Sequence, residues 1–263
     1  MKNYICKKVN TSLEINGDLS KPAWQMAEKS QRFVDVIGGT PGLYDTRAAL
    51  LWDADYLYAG FWCEDPYPTA HITERDGLLW FENDFEIFID GGDSYYELQV
   101  NARNTIYEAF YIWKDAYAKF SEYPEFDVFK NDARVFGGNH DRCGEYFWRG
   151  SHPRGNRWTF LNWDFPGLKT AVKINGCLND TSVVSDGLEI EFAFPWSGMK
   201  HLANGRHLPP KQGDIWKIFM GRYQKLQING REESVGWAWD KIGSNDNHHP
   251  ELFTPVEFCD ECI

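Results

Sequence analysis

The chain predicts an all-β protein, an antiparallel β-sandwich, on three observations. Short segments alternate apolar and polar side chains with period two, and Gly, Asp, Asn and Pro punctuate them at turn spacing. The helical signals are few and short, and none alternates with strands as a βαβ architecture would. The 263 residues contain no internal repeat and no flexible linker, so a single domain over residues 1–263 is expected.

Taken in order, residues 21–30 carry a weak two-turn helical signal. Residues 47–64 predict a hairpin, with one strand through Leu50, Leu51 and Trp52, a turn at Asp53-Ala54-Asp55, and a return from Tyr58 to Cys63. Both of its faces are apolar, as suits strands covered on two sides. Residues 80–101, WFENDFEIFIDGGDSYYELQVN, predict a second hairpin around Gly-Gly-Asp-Ser. Phe85, Ile87 and Ile89 share one face of its first strand and Asp84, Glu86 and Asp90 the other. On the return, Tyr96, Leu98 and Val100 oppose Glu97, Gln99 and Asn101, so the hairpin carries a polar ladder with Trp80 at its mouth. Residues 113–165 form a long excursion, expected as loop and short helix, the helical piece at 113–120. Further strands are predicted at 168–174, 188–194, 215–223 and 254–258, with a helical turn at 197–203. In the 188–194 strand, Glu189 and Glu191 are expected to face outward.

Composition narrows the function. A formal charge of −12 and a pI near 5.0 disfavour nucleic acid, which draws on clustered Lys and Arg. The local exception lies at 134–157, where Arg142, Arg149 and Arg154 alternate with Phe147, Trp148 and Trp158; it is expected as a loop whose arginines pair with the acidic remainder, the alternative being a wall of a ligand site. No stretch approaches about 18 apolar residues, so no membrane partner is expected. The opening residues lack the apolar core of a secretory signal, which predicts a cytoplasmic protein as written and a secreted or periplasmic one if a signal has been removed. Cysteines at 6, 63, 143, 177, 259 and 262 are too dispersed for a disulfide scaffold and predict free thiols. The 12 Trp, 13 Tyr and 18 Phe exceed what packing alone calls for, so some are expected to face a ligand. Carboxylates and amides beside an indole suit a ligand with polar edges and C–H faces, which describes a sugar.

Several segments in order resemble carbohydrate-binding module family 9 and its DOMON-like relatives: INGDLSKPAW (15–24), LLWDADYLYAGFWCEDP (50–66), LLWFENDFEIFID (78–90), YYELQVN (95–101), LNWDFPGLKTAVKINGCLND (161–180), GLEIEFAFPW (187–196), GDIWKIFMGR (213–222) and WAWDKIGSNDNHHPELF (237–253). The resemblance spans nearly the whole chain. It implies an immunoglobulin-like β-sandwich that binds a mono- or oligosaccharide without cleaving it, typically at the reducing end of a plant glycan such as a cellulose or xylan fragment. It also implies structural calcium, and a separate glycoside hydrolase as partner. In the family two tryptophans sandwich the sugar; Trp80 stands in the first position, Glu86 where a carboxylate accepts sugar hydroxyls, and Gln99 at a further polar contact. The second platform falls at Asn247-His248-His249-Pro250, where His248, or Trp239 or Trp237 close by, is the candidate. Arg222 is weighed as a sugar contact against a structural ion pair. Calcium candidates are Asp53, Asp55, Asp90 and Asp93 in oxygen-rich turns, whereas His248 and His249 make a poor chelating pair without outside ligands.

The alternative is a β-sandwich glycoside hydrolase. Glu82, Asp84 and Glu86 nearly reproduce the E-x-D-x-E strand of laminarinase-type glucanases, though carboxyls four residues apart on a strand begin ~13 Å apart and must converge to act on one bond.

Overall fold

The computed structural model describes residues 3–137 and 152–263. The strands are β1 (Tyr4–Lys8), β2 (Val34–Asp35), β3 (Thr46–Trp52), β4 (Tyr56–Cys63), β5 (Asp84–Asp90), β6 (Ser94–Val100), β7 (Ile106–Trp113), β8 (Ala133–Phe136), β9 (Arg157–Phe160), β10 (Lys169–Asn175), β11 (Gly187–Pro195), β12 (Ile215–Ile228), β13 (Arg231–Ala238) and β14 (Thr254–Cys262). One helix, α1 (Pro22–Met26), and several single 3₁₀ turns complete the described residues. The strands form one hydrogen-bonded path in the order β10-β11-β4-β3-β1-β14-β12-β5-β6-β7-β9-β8, with β13 on the side of β12 and β2 beyond it.

The path doubles over, so its two arms face each other across one core. Phe61 of β4 meets Phe85 of β5 edge-on at 5.9 Å, and Tyr96 of β6 meets Phe194 of β11 at 6.4 Å. The inward sets are those the period-two pattern assigned: Leu50 and Phe61, Phe85, Ile87 and Ile89, Leu98 and Val100 are all buried in this cluster. The expected all-β sandwich is therefore present. Its ladders are mostly antiparallel, but β1 runs parallel to both neighbours, β3 and β14, because it closes the seam between two segments far apart in the chain.

Both predicted hairpins form. Leu50 pairs with Ala59 in the first, and in the second Glu86 stands directly opposite Gln99. The outer face of the first hairpin is covered: Ala49, Leu51 and Tyr58 pack on Val9, Leu19 and Trp24. The excursion differs from the loop expected at 113–165, since β9 pairs with β7 and β8 with β9. Residues 157–160, RWTF, carry the aromatic and β-branched side chains that suit an edge extension of the sheet. Within it Arg154 pairs with Asp93 at 2.7 Å and Asp115 at 3.1 Å, as expected of a basic loop among acidic neighbours; Arg142, Arg149, Phe147, Trp148 and Cys143 lie outside the described residues. The described cysteines are free.

Glu191 corrects an expectation. It lies on the outer face of β11 but is fully buried, because residues 13–27 fold over it. Its carboxylate accepts from the amides of Asn16 (3.0 Å) and Gly17 (3.1 Å), the Trp24 indole (2.8 Å) and Lys21 Nζ (2.6 Å).

Candidate functional site

The second face of β5, β6, β7 and β12 builds the site. On it lie Asp84, Glu86 and Phe88 from β5, Tyr95, Glu97 and Gln99 from β6, Tyr107 and Tyr111 from β7, and Phe219 and Tyr223 from β12. Just before β5 a 3₁₀ turn, Leu79–Phe81, buries Leu79 and leaves Trp80 and Phe81 at the rim. Trp80 is half-buried and stands edge-on to Tyr107 at 5.1 Å, while Phe81 is 56 % exposed. The loop 244–248 crosses the opposite side, its turn held by Ser244 Oγ accepting from the Asp246 amide and Asp246 Oδ1 from the His248 amide, both at 3.0 Å. The ladder is therefore roofed rather than open to solvent. What remains is a cavity of about 320 Å³ with aromatic walls and a carboxylate floor.

The floor is tightly wired. Gln99 Nε2 donates to Glu97 Oε1 (2.8 Å) and Glu86 Oε1 (3.2 Å), Tyr111 donates its hydroxyl to Glu97, and Asn247 Nδ2 donates to Glu86. Gln99 Oε1 and both oxygens of Asp84 are buried with no hydrogen-bond partner among the described residues. Burial, with Asp84 and Glu97 close by, holds the Glu86 carboxyl well above the usual carboxylate range. Burial first and Glu97 second push Asp84 up in the same way. Glu97 is pushed up to about 7 by burial, partly offset by its Tyr111 and Gln99 hydrogen bonds. His248 forms one end of the cavity, its ring 4.4 Å from that of Phe136 and its Nδ1 3.2 Å from the Tyr95 hydroxyl. Burial and the nearby Arg157, which donates to the His248 carbonyl, keep its imidazole well below its ordinary pKa and hence neutral.

Four of the candidate ligand residues thus line one cavity: Trp80, Glu86, Gln99 and His248. Arg222 and Trp239 do not. The Arg222 guanidinium points into the sandwich, where it pairs with Asp65 at 3.0 Å and donates to Gln224, Thr46 and the Glu64 carbonyl. Period two explains this, since Arg222 shares a face with the core residues Ile218 and Met220. Trp239 is buried in the same core with its ring 5.3 Å from that of Tyr4, and Trp237 packs edge-on against Tyr44. Neither indole supplies a second platform. The other rings on this cavity's lining include Phe136 and His248 instead. Glu97, Tyr107 and Tyr111 belong to the site although the sequence reading did not single them out; their spacing on the face of Gln99 carries the signal. Phe136 had none, for it arrives from the excursion.

The hydrolase arrangement is not formed. The Glu82 carboxylate is spent on the amides of His71 (2.8 Å) and Ile72 and on Asn101 Nδ2 (2.8 Å), so it is not the partner acid that the E-x-D-x-E pattern would set against Glu86. The calcium candidates do not fit a cage of six to eight oxygens. Asp53 already accepts from Asp55, Tyr56, Ser12 and Tyr58, Asp55 is exposed, Asp90 caps the Gly92 amide at 2.7 Å, and Asp93 is held by Lys119 and Arg154. Among the described residues, three His, Cys, Asp or Glu donor atoms come within 4.8 Å of one another only at His152, His249 and Glu251. There His152 Nδ1 accepts the Arg154 amide (3.0 Å), so its ring proton sits on Nε2 and faces Glu251 at 3.0 Å rather than leaving a lone pair for a metal.

No protein-family model matches the sequence, and no curated protein does. Solved structures do. A protein of Bacteroides uniformis assigned as a candidate carbohydrate-binding protein superposes with a TM-score of 0.61 at 14 % identity, over 98 % of this chain and 99 % of that one. A family 9 carbohydrate-binding module from Caldicellulosiruptor kristjanssonii in complex with cellotriose superposes at 0.52 and 14 % identity, over 98 % and 94 %. A complex of a family 9 module from the same organism with glucose gives 0.50 and 13 %, over 97 % and 96 %. The fold is that of the family 9 carbohydrate-binding modules. No helix among the described residues is long and apolar enough to cross a membrane.

Proposed function

We propose that this cavity binds the terminal unit of a mono- or oligosaccharide and does not cleave it. The observation that carries the reading is the half-buried Trp80 lining one cavity with the cross-strand pair Glu86 and Gln99, so that one ligand meets an aromatic ring and hydrogen-bond acceptors together. A volume of about 320 Å³ lies at the low end for small-molecule sites, about 300–1,000 Å³, which suits a chain end rather than a run of polymer. The fold likeness to modules solved with cellotriose and glucose supports the same reading. The wiring of Glu82 into the 71–72 loop argues against hydrolysis by the Glu82/Asp84/Glu86 strand.

Calorimetric titration tests this. Cellobiose is expected to bind and its borohydride-reduced alditol not to, if the closed end of the cavity reads the reducing ring. Trp80→Ala is expected to abolish the heat while leaving the melting transition in place; an unchanged isotherm would remove Trp80 from the site.

A further inference from the structure

The saccharide reading leaves open what group the cavity floor is built to hold. Its acidity exceeds what neutral hydroxyls call for: Glu86, Glu97 and Asp246 line the space, Asp84 lies directly behind, and no Lys or Arg is among the described lining residues. The charged groups facing this cluster from behind are Lys225 near Asp84, Glu82, and Arg157 beneath His248, which is itself neutral. Three donors beside these carboxylates are already used, since the Gln99 amide, Asn247 Nδ2 and the Tyr111 hydroxyl all point at them. What remains unpaired is an acceptor: Gln99 Oε1, on a residue only 2 % exposed that lines the cavity.

A hydroxyl brings one donor and two lone pairs, whereas an ammonium brings three donors and no acceptor. The second matches the Glu86–Glu97–Gln99 corner of the floor, where the Gln99 amide, Asn247 Nδ2 and the Tyr111 hydroxyl are spent on the carboxylates and Gln99 Oε1 has no partner. It also places a positive charge beside carboxyls that burial first, and neighbouring carboxylates second, hold above their ordinary pKa. These carboxyls do not converge on one point as a metal ion would need, because the only three-donor group within 4.8 Å among the described residues lies elsewhere, at His152. Trp80, Phe81 and Phe136 meanwhile line the same space with aromatic rings, which suit a pyranose and a cation beside it.

We infer that the site selects an amino sugar, a hexose bearing a free ammonium, over its neutral hydroxyl counterpart. This inference rests on the saccharide reading, and the experiment separates the two. The full chain is titrated near pH 7 with matched pairs: glucose and glucosamine, galactose and galactosamine, mannose and mannosamine, each with the N-acetylated sugar as control. In the pair that fits, the amino sugar is expected to bind about tenfold or more tightly than the neutral one, the size of a hydrogen bond to a charged group, and acetylation is expected to remove the gain. Raising the pH past the amine's own titration, to about 9, is expected to collapse the ratio without any variant. In Glu97→Gln the ratio, read within the variant, is expected to shrink toward one. Neutral sugars binding as tightly as their amino partners would overturn the inference and leave the saccharide reading intact. Heat from calcium chloride that Glu97→Gln removes would overturn it in favour of a metal, and silence from every sugar would sink both.

Discussion

Glu97 is 3 % exposed, between the Tyr111 hydroxyl and the Gln99 amide, and burial lifts its carboxyl from the ordinary 4.5 to about 7. The folded chain therefore holds this proton more tightly than the unfolded chain does. The stability it contributes is fully present below about pH 4.5 and is lost as the pH rises through about 7. Thermal melts across that window should show a falling melting temperature, and Glu97→Gln, which copies the protonated form, should flatten that part of the slope; an identical slope in the variant would place the titration elsewhere. Arg222 is the opposite case, a charge kept inside by its partners. It is fully buried and holds Asp65, whose carboxyl burial pushes up and Arg222 pulls back down. Arg222→Met leaves Asp65 buried and unpaired, with an expected loss of about 3–5 kcal/mol by denaturant titration. Sugar affinity in the folded variant should be unchanged, because Arg222 faces away from the cavity.

At the scale of elements, the β5–β6 hairpin supplies most of the floor, and its register is pinned by the apolar face of both its strands as well as by the polar ladder. A slip of one residue would send Phe85, Ile87 and Ile89 out of the core and Glu86 into it. The turn needs glycine at 92, where φ is +74° and a Cβ would stand 2.5 Å from Asn204 Nδ2. The segment 13–27 is tied to β11 by Glu189, which accepts from the Leu19 amide at 3.1 Å, and above all by Glu191. Glu191 is the common acceptor for two amides, the Trp24 indole and Lys21, so Glu191→Ala strips four donors at once and should cost about 3 kcal/mol or more. Limited proteolysis should then cut first within 13–27; cleavage elsewhere would mean that Val9, Leu19 and Trp24 hold the segment by packing alone.

At the scale of the whole molecule, a sheet whose arms close on one core leaves second faces, and the chain covers both. One is capped by the N-terminal segment and the other by the rim of Trp80, the 244–248 loop and Phe136. The site exists because the second cover is incomplete over the ladder. The amino-acid pattern alone determined the two hairpins, the strands at 168–174, 188–194, 215–223 and 254–258 and their inward faces, because period-two alternation is a local property of the backbone, whereas β1, β7 and β13 and the pairing of Glu86 with Gln99 came from the structure. The pattern also contained the placement of Arg222 beside Ile218 and Met220. Only the tertiary structure decided that Glu191 is buried, that residues 157–160 extend the sheet, and that His248 and Phe136, rather than Trp239, line the cavity with Trp80. Those outcomes depend on which distant segments come to lie over a polar face, and burial of that kind is set by contacts across the chain that no local pattern encodes.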